Sequence, residues 1–306
     1  MVSSTGRIMW SVSAALLPGF AVLSVHFGSG YLRNIAIAWP LACALDWAAA
    51  KARGRPANLA DGSVTLTVLI LALTLPPAAA WHAVAVATGG AVLLARQLYG
   101  GLGHNIFNPA MAGYAIALIS YPLAMGTWPP LVDGHTGATA LTALKYRDGL
   151  TVAEAFRQNP AFGHFGGRAW EWANLAFAAG GLWLMLRGLI AWRVVTAFLI
   201  TLGALALIFN DGGSSSSAGP PLFHLLSGGI LLAAFFVITD PVTHPGSQPG
   251  QWLFGAITAA ITFVIRAWGG YPDGIAFAVL IANAATPLID RAFRQGFGGQ
   301  SLRKSQ

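Results

Sequence analysis

Gly62 to Pro77 reads GSVTLTVLILALTLPP, a run without a charged residue that opens on a glycine and closes on two prolines. It is continuous and lacks the alternation that a barrel strand requires, so it reads as a helix in an apolar solvent. A second stretch, Ser227 to Pro241 (SGGILLAAFFVITDP), follows the same plan and also ends in a proline break. Tyr99-Gly100-Gly101 and Trp268-Gly269-Gly270 form a matching pair, each standing just before an apolar run. Overlaying the two halves gives each of them five helices. An odd number forces the second copy upside down relative to the first, which is the inverted-repeat plan of many channels and transporters. Such a plan places Gly- and Pro-broken helices, with exposed backbone dipoles, near the bilayer midplane.

Working outward, the ten apolar runs lie at about 8–26, 33–50, 63–77, 81–98, 107–125, 173–187, 193–209, 222–240, 251–268 and 274–293. A spanning helix needs about 20 mostly apolar residues. The expected fold is therefore an all-α integral membrane protein of about ten transmembrane helices in two five-helix inverted repeats. The expected organisation is a first repeat over 1–125, a long loop over 126–172, a second repeat over 173–294 and a disordered, solvated tail over 295–306. The first run, after Arg7, lacks a small-residue cleavage site before His26 and reads as an uncleaved helix. Asn210 to Pro221 (NDGGSSSSAGPP) reads as a flexible connection.

Composition supports the bilayer. Of the 306 residues, 56% are hydrophobic and only 9% charged, and the mean hydropathy is +0.63. A soluble domain carries about 25% charge, so there is too little polar surface here to cover the molecule in water. The net charge of +7 does not signal nucleic acid, because the basic residues stand singly at the ends of apolar runs. It signals topology. With the N-terminus inside, Arg7, Lys51, Arg53, Arg55, Arg96, Arg187, Arg193, Arg291, Arg294, Arg303 and Lys304 collect on the inner side, 11 of the 17 Lys and Arg. Both termini are then expected in the cytoplasm and the 126–172 loop outside it.

Several chemistries are excluded. The one cysteine, Cys43, cannot supply a disulfide, a CxxC pair or an iron–sulfur site. Histidines 26, 82, 104, 135, 164, 224 and 244 have no metal-ligand spacing. Asp46, Asp61, Asp240, Asp273 and Asp290 fall at the ends of runs, so no central carboxylate marks an ion relay. The loop contains a segment of different character, Asp133-Gly134-His135-Thr136-Gly137-Ala138-Thr139, followed by ALTALK. Small residues flank two hydroxyls, so a modifying enzyme could grip the backbone and reach the Thr139 oxygen. Equally, Thr139 precedes an apolar stretch and could serve as a helix N-cap.

This loop resembles the flavinylation motif, D-G-x-S/T-G-A-T, of the membrane family that contains NqrB and the D subunit of Rnf ion-translocating oxidoreductase complexes. Four further stretches are similar in family order: Gly100 to Met111 (GGLGHNIFNPAM), Leu225 to Gly229, Thr239 to Thr243 and Tyr271 to Leu280. The short segment before the first helix is closer to the Rnf D subunit than to NqrB. Thr136 stands where serine is common, Ala140 where proline often follows, and Ile106 where the membrane stretch has proline.

The resemblance implies that Thr139 carries FMN through a phosphoester, installed by a separate extracytoplasmic flavin transferase, with Asp133, Thr136, Gly137 and Ala138 completing the motif. It also implies a second, non-covalent flavin, riboflavin, with Asn105 and Asn108 as a wall; capping and helix packing are the other use for those asparagines. The implied function is electron relay in a complex whose other subunits carry flavins and iron–sulfur centres and which moves Na⁺ or H⁺ across the bacterial cytoplasmic membrane. No trustworthy GxGxxG unit for NAD is present, so that chemistry falls to partners. A different class of function, a solute channel or transporter on the same inverted repeat, would use His104, Asn105, Asn108 and His224 as a polar pore; a third is a structural membrane anchor.

Overall fold

The computed structural model describes residues 4–55, 59–128, 139–271 and 273–301. Among these residues the regular structure is helical, and the β-bridge between Phe162 and Gly167 is isolated. Four helical stretches are long and apolar enough to cross a membrane: Thr5–Phe27, Gly30–Ala52, Gln248–Trp268 and Ile275–Phe293. Ser63–Thr74, Pro109–Ser120 and Trp192–Ile208 are shorter and also apolar. The chain is a membrane protein.

In chain order the helices are α1 (Ser4–Ala15), α2 (Leu17–Phe27), α3 (Gly30–Ala52), α4 (Ser63–Thr74), α5 (Trp81–Gly89), α6 (Pro109–Ser120), α7 (Pro122–Gly126), α8 (Ala140–Lys145), α9 (Val152–Gln158), α10 (Trp170–Leu186), α11 (Trp192–Ile208), α12 (Pro221–Leu226), α13 (Ile230–Leu232), α14 (Gln248–Trp268) and α15 (Ile275–Ser301). α1 and α2 are one apolar stretch, interrupted at Leu16 where Pro18 can donate no backbone hydrogen bond. α5 continues through Gly90–Gln97 with wider i to i+5 turns, as in Leu98 N to Leu93 O at 2.8 Å.

The eighth apolar run is not one helix. α12 stops at Leu226, and Ser227-Gly228-Gly229 interrupt the chain before α13 leads into a wide-turned segment, Ala233–Val237. Gly228 has φ +61°, and a Cβ there would lie 2.6 Å from Asp273 Oδ2, so only glycine fits. α2 packs closely on α10 because Gly19 faces the Phe177 ring, and α1 does so because Gly180 faces Ala15 O; in each place a Cβ would stand 2.1 Å from its neighbour. The main core runs through both halves, from Leu16 and Leu71 to Phe198 and Phe254. A smaller cluster, Ala140, Leu141, Leu144, Val152, Ala155, Phe162 and Phe223, holds α8 and α9.

Four sequence expectations require correction. Asp46 lies inside α3 rather than at its end; it is buried, with Arg96 Nε at 3.0 Å and Gln97 Nε2 at 2.6 Å. Arg96 and Arg266, expected at the ends of apolar runs, are buried and paired, which is how such cations are tolerated among apolar helices. Asn210 to Pro221 is a fixed connection: Arg147 donates to the carbonyls of Ser214, Ser215 and Ser217, while Asp211 accepts from the hydroxyls of Ser214 and Ser216. Helix α15 also carries into the segment expected as a tail, reaching Ser301, because after Pro287 no proline stops its backbone ladder.

Candidate functional site

Thr139 is the N-cap of α8. Its Oγ1 accepts from Thr142 N at 3.3 Å and lies 3.0 Å from Thr142 Oγ1. The capping use weighed from sequence is thus present. So is accessibility, because the same side chain lines a cavity of about 330 Å³. That volume falls in the range of about 300–1,000 Å³ typical of small-molecule sites. One wall comes from Leu73 and Thr74 of α4, Met111, Tyr114 and Leu118 of α6, and Met125 and Trp128. The other comes from Gly228, Gly229, Leu232 and Ala233 around the broken helix, with Tyr271, Asp273, Ile275 and Ala276 at the start of α15. Trp128 and Trp170 meet edge to face at the cavity, with centroids 5.6 Å apart. The lining is apolar and aromatic, with a rim of hydroxyls.

The segment that presents Thr139 is held from both ends. α8 has six residues, too few for an isolated helix to be stable in water. Leu141 and Leu144 seat it in the smaller cluster, and Lys145 at its end donates to the carbonyls of Ile265 at 3.0 Å, Tyr271 at 3.1 Å and Gly269. Those carbonyls sit at and just beyond the C-terminal end of α14, where orphan acceptors attract a cation. Burial pushes the Lys145 ammonium below the usual lysine range. Nearby, Glu171 is buried at the first turn of α10 and accepts the backbone N–H groups of His164, Phe165 and Gly166 at 3.1 to 3.3 Å, fixing the entry to that helix.

Of the other motif residues, Asp133, Thr136, Gly137 and Ala138 lie outside the described residues. Asn105 and Asn108 are elsewhere from Thr139. Asn108 caps α6 through Met111 N at 3.2 Å, donates to Val237 O at 3.3 Å, and its own backbone N–H donates to Asn283 Oδ1 at 2.9 Å. Asn105 donates to Phe107 O at 3.1 Å. Neither lines the cavity. His104 is exposed and His224 is buried beside a separate cavity of about 230 Å³, so the four residues of the pore reading are not gathered on one channel. Among the described residues no group of three or more His, Cys, Asp or Glu is placed to hold a metal.

The sequence matches the NQR2, RnfD, RnfE family over residues 2–298. The chain belongs to this family. Similar proteins within the NQR2, RnfD, RnfE family include the D subunit of the ion-translocating oxidoreductase complex from Ectopseudomonas mendocina (strain ymp), 46% identical over 94% of this chain and 89% of that relative. The relative of the same name from Cellvibrio japonicus is 40% identical over 94% of this chain and 88% of its own length. That from Cronobacter sakazakii is 40% identical over 94% and 92%.

Sequence reasoning missed Lys145, Arg266 and Asp273. Charged residues flanking Trp268-Gly269-Gly270 were the available signal, since a cation at the end of an apolar helix requires an internal partner when it is buried.

Proposed function

We propose that this chain is the flavin-carrying membrane subunit of an ion-translocating oxidoreductase, relaying electrons through FMN held by a phosphoester on Thr139. The observation that carries the reading is the placement of the Thr139 hydroxyl on the rim of a cavity walled by Trp128, Trp170, Tyr114 and Tyr271. Those residues fit the group: a hydroxyl for the ester, and apolar and aromatic faces for a planar ring. When bound, FMN supplies reversible electron transfer, and the protein supplies placement and electrostatics.

The chain's own residues have definite tasks. The Thr139 oxygen caps α8 with a lone pair rather than its proton, so an ester at that oxygen leaves the Thr142 N–H an acceptor, and Thr142 Oγ1 becomes the donor of the hydroxyl pair. Lys145 fixes the helix, and the Trp128 and Trp170 rings supply aromatic faces to the cavity wall. For riboflavin the fit is poor: the Asn108 amide is committed to Met111 and Val237, and the Asn105 amide to Phe107, so no step is assigned to that group.

The same reading includes ten membrane crossings as two inverted five-helix repeats. Its support is the recurrence of one local arrangement. Arg96 ends the α5 stretch and donates to Ser63 at the start of α4, while Arg266 near the end of α14 donates to Ser227 before α13. α3 packs on α5 as α11 packs on α14, and α5 on α6 as α14 on α15; α2 with α10 and α6 with α15 join the halves. Both termini are assigned to the cytoplasm and the Thr139 loop to the outside. Three tryptophans stacked under cations on the assigned inner side favour this: Lys51 over Trp47 at 4.9 Å, Arg187 over Trp183 at 5.6 Å and Arg193 over Trp192 at 4.8 Å. Partner subunits of the complex, bearing flavin and iron–sulfur centres, and an extracytoplasmic flavin transferase complete the assignment, with Na⁺ or H⁺ as the transported ion in the bacterial inner membrane.

The test is direct. Full-length protein coexpressed with a flavin transferase is run on a denaturing gel and weighed by intact mass. A fluorescent band with the FMN mass increment, lost in Thr139→Val, is the expected result. Unmodified wild-type protein would remove the reading.

A further inference from the structure

We propose that Asp273, clamped by Arg266, sets the reduction potential of the ring in the cavity; this rests on the flavin reading above. Among the described residues lining the cavity, Asp273 carries the one carboxyl group; the rest of the lining is apolar, aromatic or hydroxylic. Its position is fixed from several directions. Arg266 grips both oxygens, Nη2 to Oδ2 at 3.0 Å and Nε to Oδ1 at 3.3 Å, and Ile275 N donates to Oδ1 at 3.2 Å. The guanidinium is in turn tied to His224 O at 2.9 Å and Ser227 O at 3.1 Å, and its side chain is fully buried. Gly228 lets the backbone of the broken helix pass against this pair, since a Cβ would stand 2.6 Å from Asp273 Oδ2 and 2.9 Å from Arg266 Nη2.

The pair is therefore an oriented dipole. The carboxylate forms part of the cavity wall, whereas Arg266 lines the separate cavity of about 230 Å³ behind it. A ring in the first cavity is nearer to the negative end. In a water-poor site such a charge is weakly screened. It opposes the negative charge that a flavin gains with each electron and so lowers the potential of the cofactor. A low potential suits a relay that must pass electrons onward rather than trap them. The broken helix and the start of α15 thereby acquire a use beyond shape: they bring a buried ion pair to the reacting group with its acidic end forward.

Full-length protein coexpressed with its flavin transferase provides the test, with the flavin absorbance followed in a potentiometric titration in which a chemical reductant supplies the electrons. Asp273→Asn, which leaves the Arg266 cation facing the ring without its partner, raises the midpoint by an amount equivalent to at least a tenfold change in the one-electron equilibrium, about 59 mV. The double variant Arg266→Gln/Asp273→Asn removes both charges, leaves no unpaired buried ion, and gives a smaller rise. Asp273→Glu restores the wild-type midpoint. Denaturing-gel fluorescence establishes in each sample that the flavin is attached. A fluorescent Asp273→Asn protein with the wild-type midpoint overturns the inference alone. Should that variant fail to fold, an unshifted midpoint in the double variant does the same. Absence of fluorescence in the wild-type protein overturns the flavin reading and this inference with it.

Discussion

Thr139 caps α8, and in the proposed reading the same oxygen also carries the flavin; substitution separates the two. Loss of an N-cap hydroxyl costs about 1 kcal/mol, while asparagine caps as well as threonine does. Thr139→Asn is therefore expected to match the wild type in thermal stability and to carry no covalent flavin. Thr139→Val is expected to lose the flavin and also about 1 kcal/mol of local stability in α8, seen as faster amide exchange at Thr142. Equal exchange in the two variants would contradict the cap. A second residue-scale expectation concerns α9, where Thr151 and Glu154 form a reciprocal box: Thr151 N and Oγ1 donate to Glu154 Oε2 at 2.8 and 2.7 Å, and Glu154 N donates to Thr151 Oγ1 at 3.3 Å. The Thr151 hydrogen bonds hold the Glu154 carboxyl below its usual range of about 4.5. A carboxylate whose folded pKa is depressed contributes stability above its unfolded pKa and loses it as pH falls through the folded value. Exchange protection at the start of α9 should thus be constant near neutrality and decline only below about pH 4.5. Glu154→Gln should abolish that acid-side decline, and an identical decline in the variant would show that another group causes it.

At the scale of elements, α8 depends on what it touches. Its six residues cannot hold a helix alone, and the Lys145 ammonium joins it to three carbonyls at the end of α14. Hydrogen bonds from charged groups are worth about 1.5–3 kcal/mol each when their partners would otherwise be unmet. Lys145→Met is expected to increase amide exchange over residues 140–145 by roughly tenfold or more and to reduce the covalently flavinylated fraction, without loss of the membrane-embedded helices. Unchanged exchange would place the holding force in Leu141 and Leu144 instead. Such a clamp was not legible in the sequence, for a physical reason. Apolar runs announce themselves locally, so α3, α4, α6, α11, α14 and α15 all coincide largely with runs read from hydropathy. The partners of Lys145 are 120 to 126 residues distant, and those of Arg96 33 and 50, so no local pattern records them. The interruption at Ser227-Gly228-Gly229 was hidden differently. A window average of hydropathy passes smoothly over two glycines, although it is the positive φ of Gly228 that ends the helical register. Thr139 stood out as a candidate because its neighbours carry a motif; the cavity it lines was not legible, because its walls come from both halves of the chain.

For the molecule as a whole, the flavin reading turns on the side of the membrane on which Thr139 is displayed, since in that reading a transferase and an electron partner reach it from one compartment. Arg96 and Arg266 bear on the argument for orientation. Both are buried and hydrogen-bonded within the bundle, so they anchor helix ends without serving as free cations in connecting loops. Removing Arg96 leaves ten of the eleven basic residues counted on the inner side, and Lys51, Arg187 and Arg193, each stacked on a tryptophan, lie where an interface would place them. The retained bias favours one orientation over the other. Fusion of a reporter active only in the periplasm after Arg157 should give signal, and the same reporter fused at Gln306 should give none, whereas a reporter active only in the cytoplasm should show the reverse. If Arg157 instead reads cytoplasmic, Thr139 would face a compartment without an extracytoplasmic transferase. The flavin assignment would then have to be abandoned even though the cavity, its aromatic walls and the ion pair behind it remained as they are.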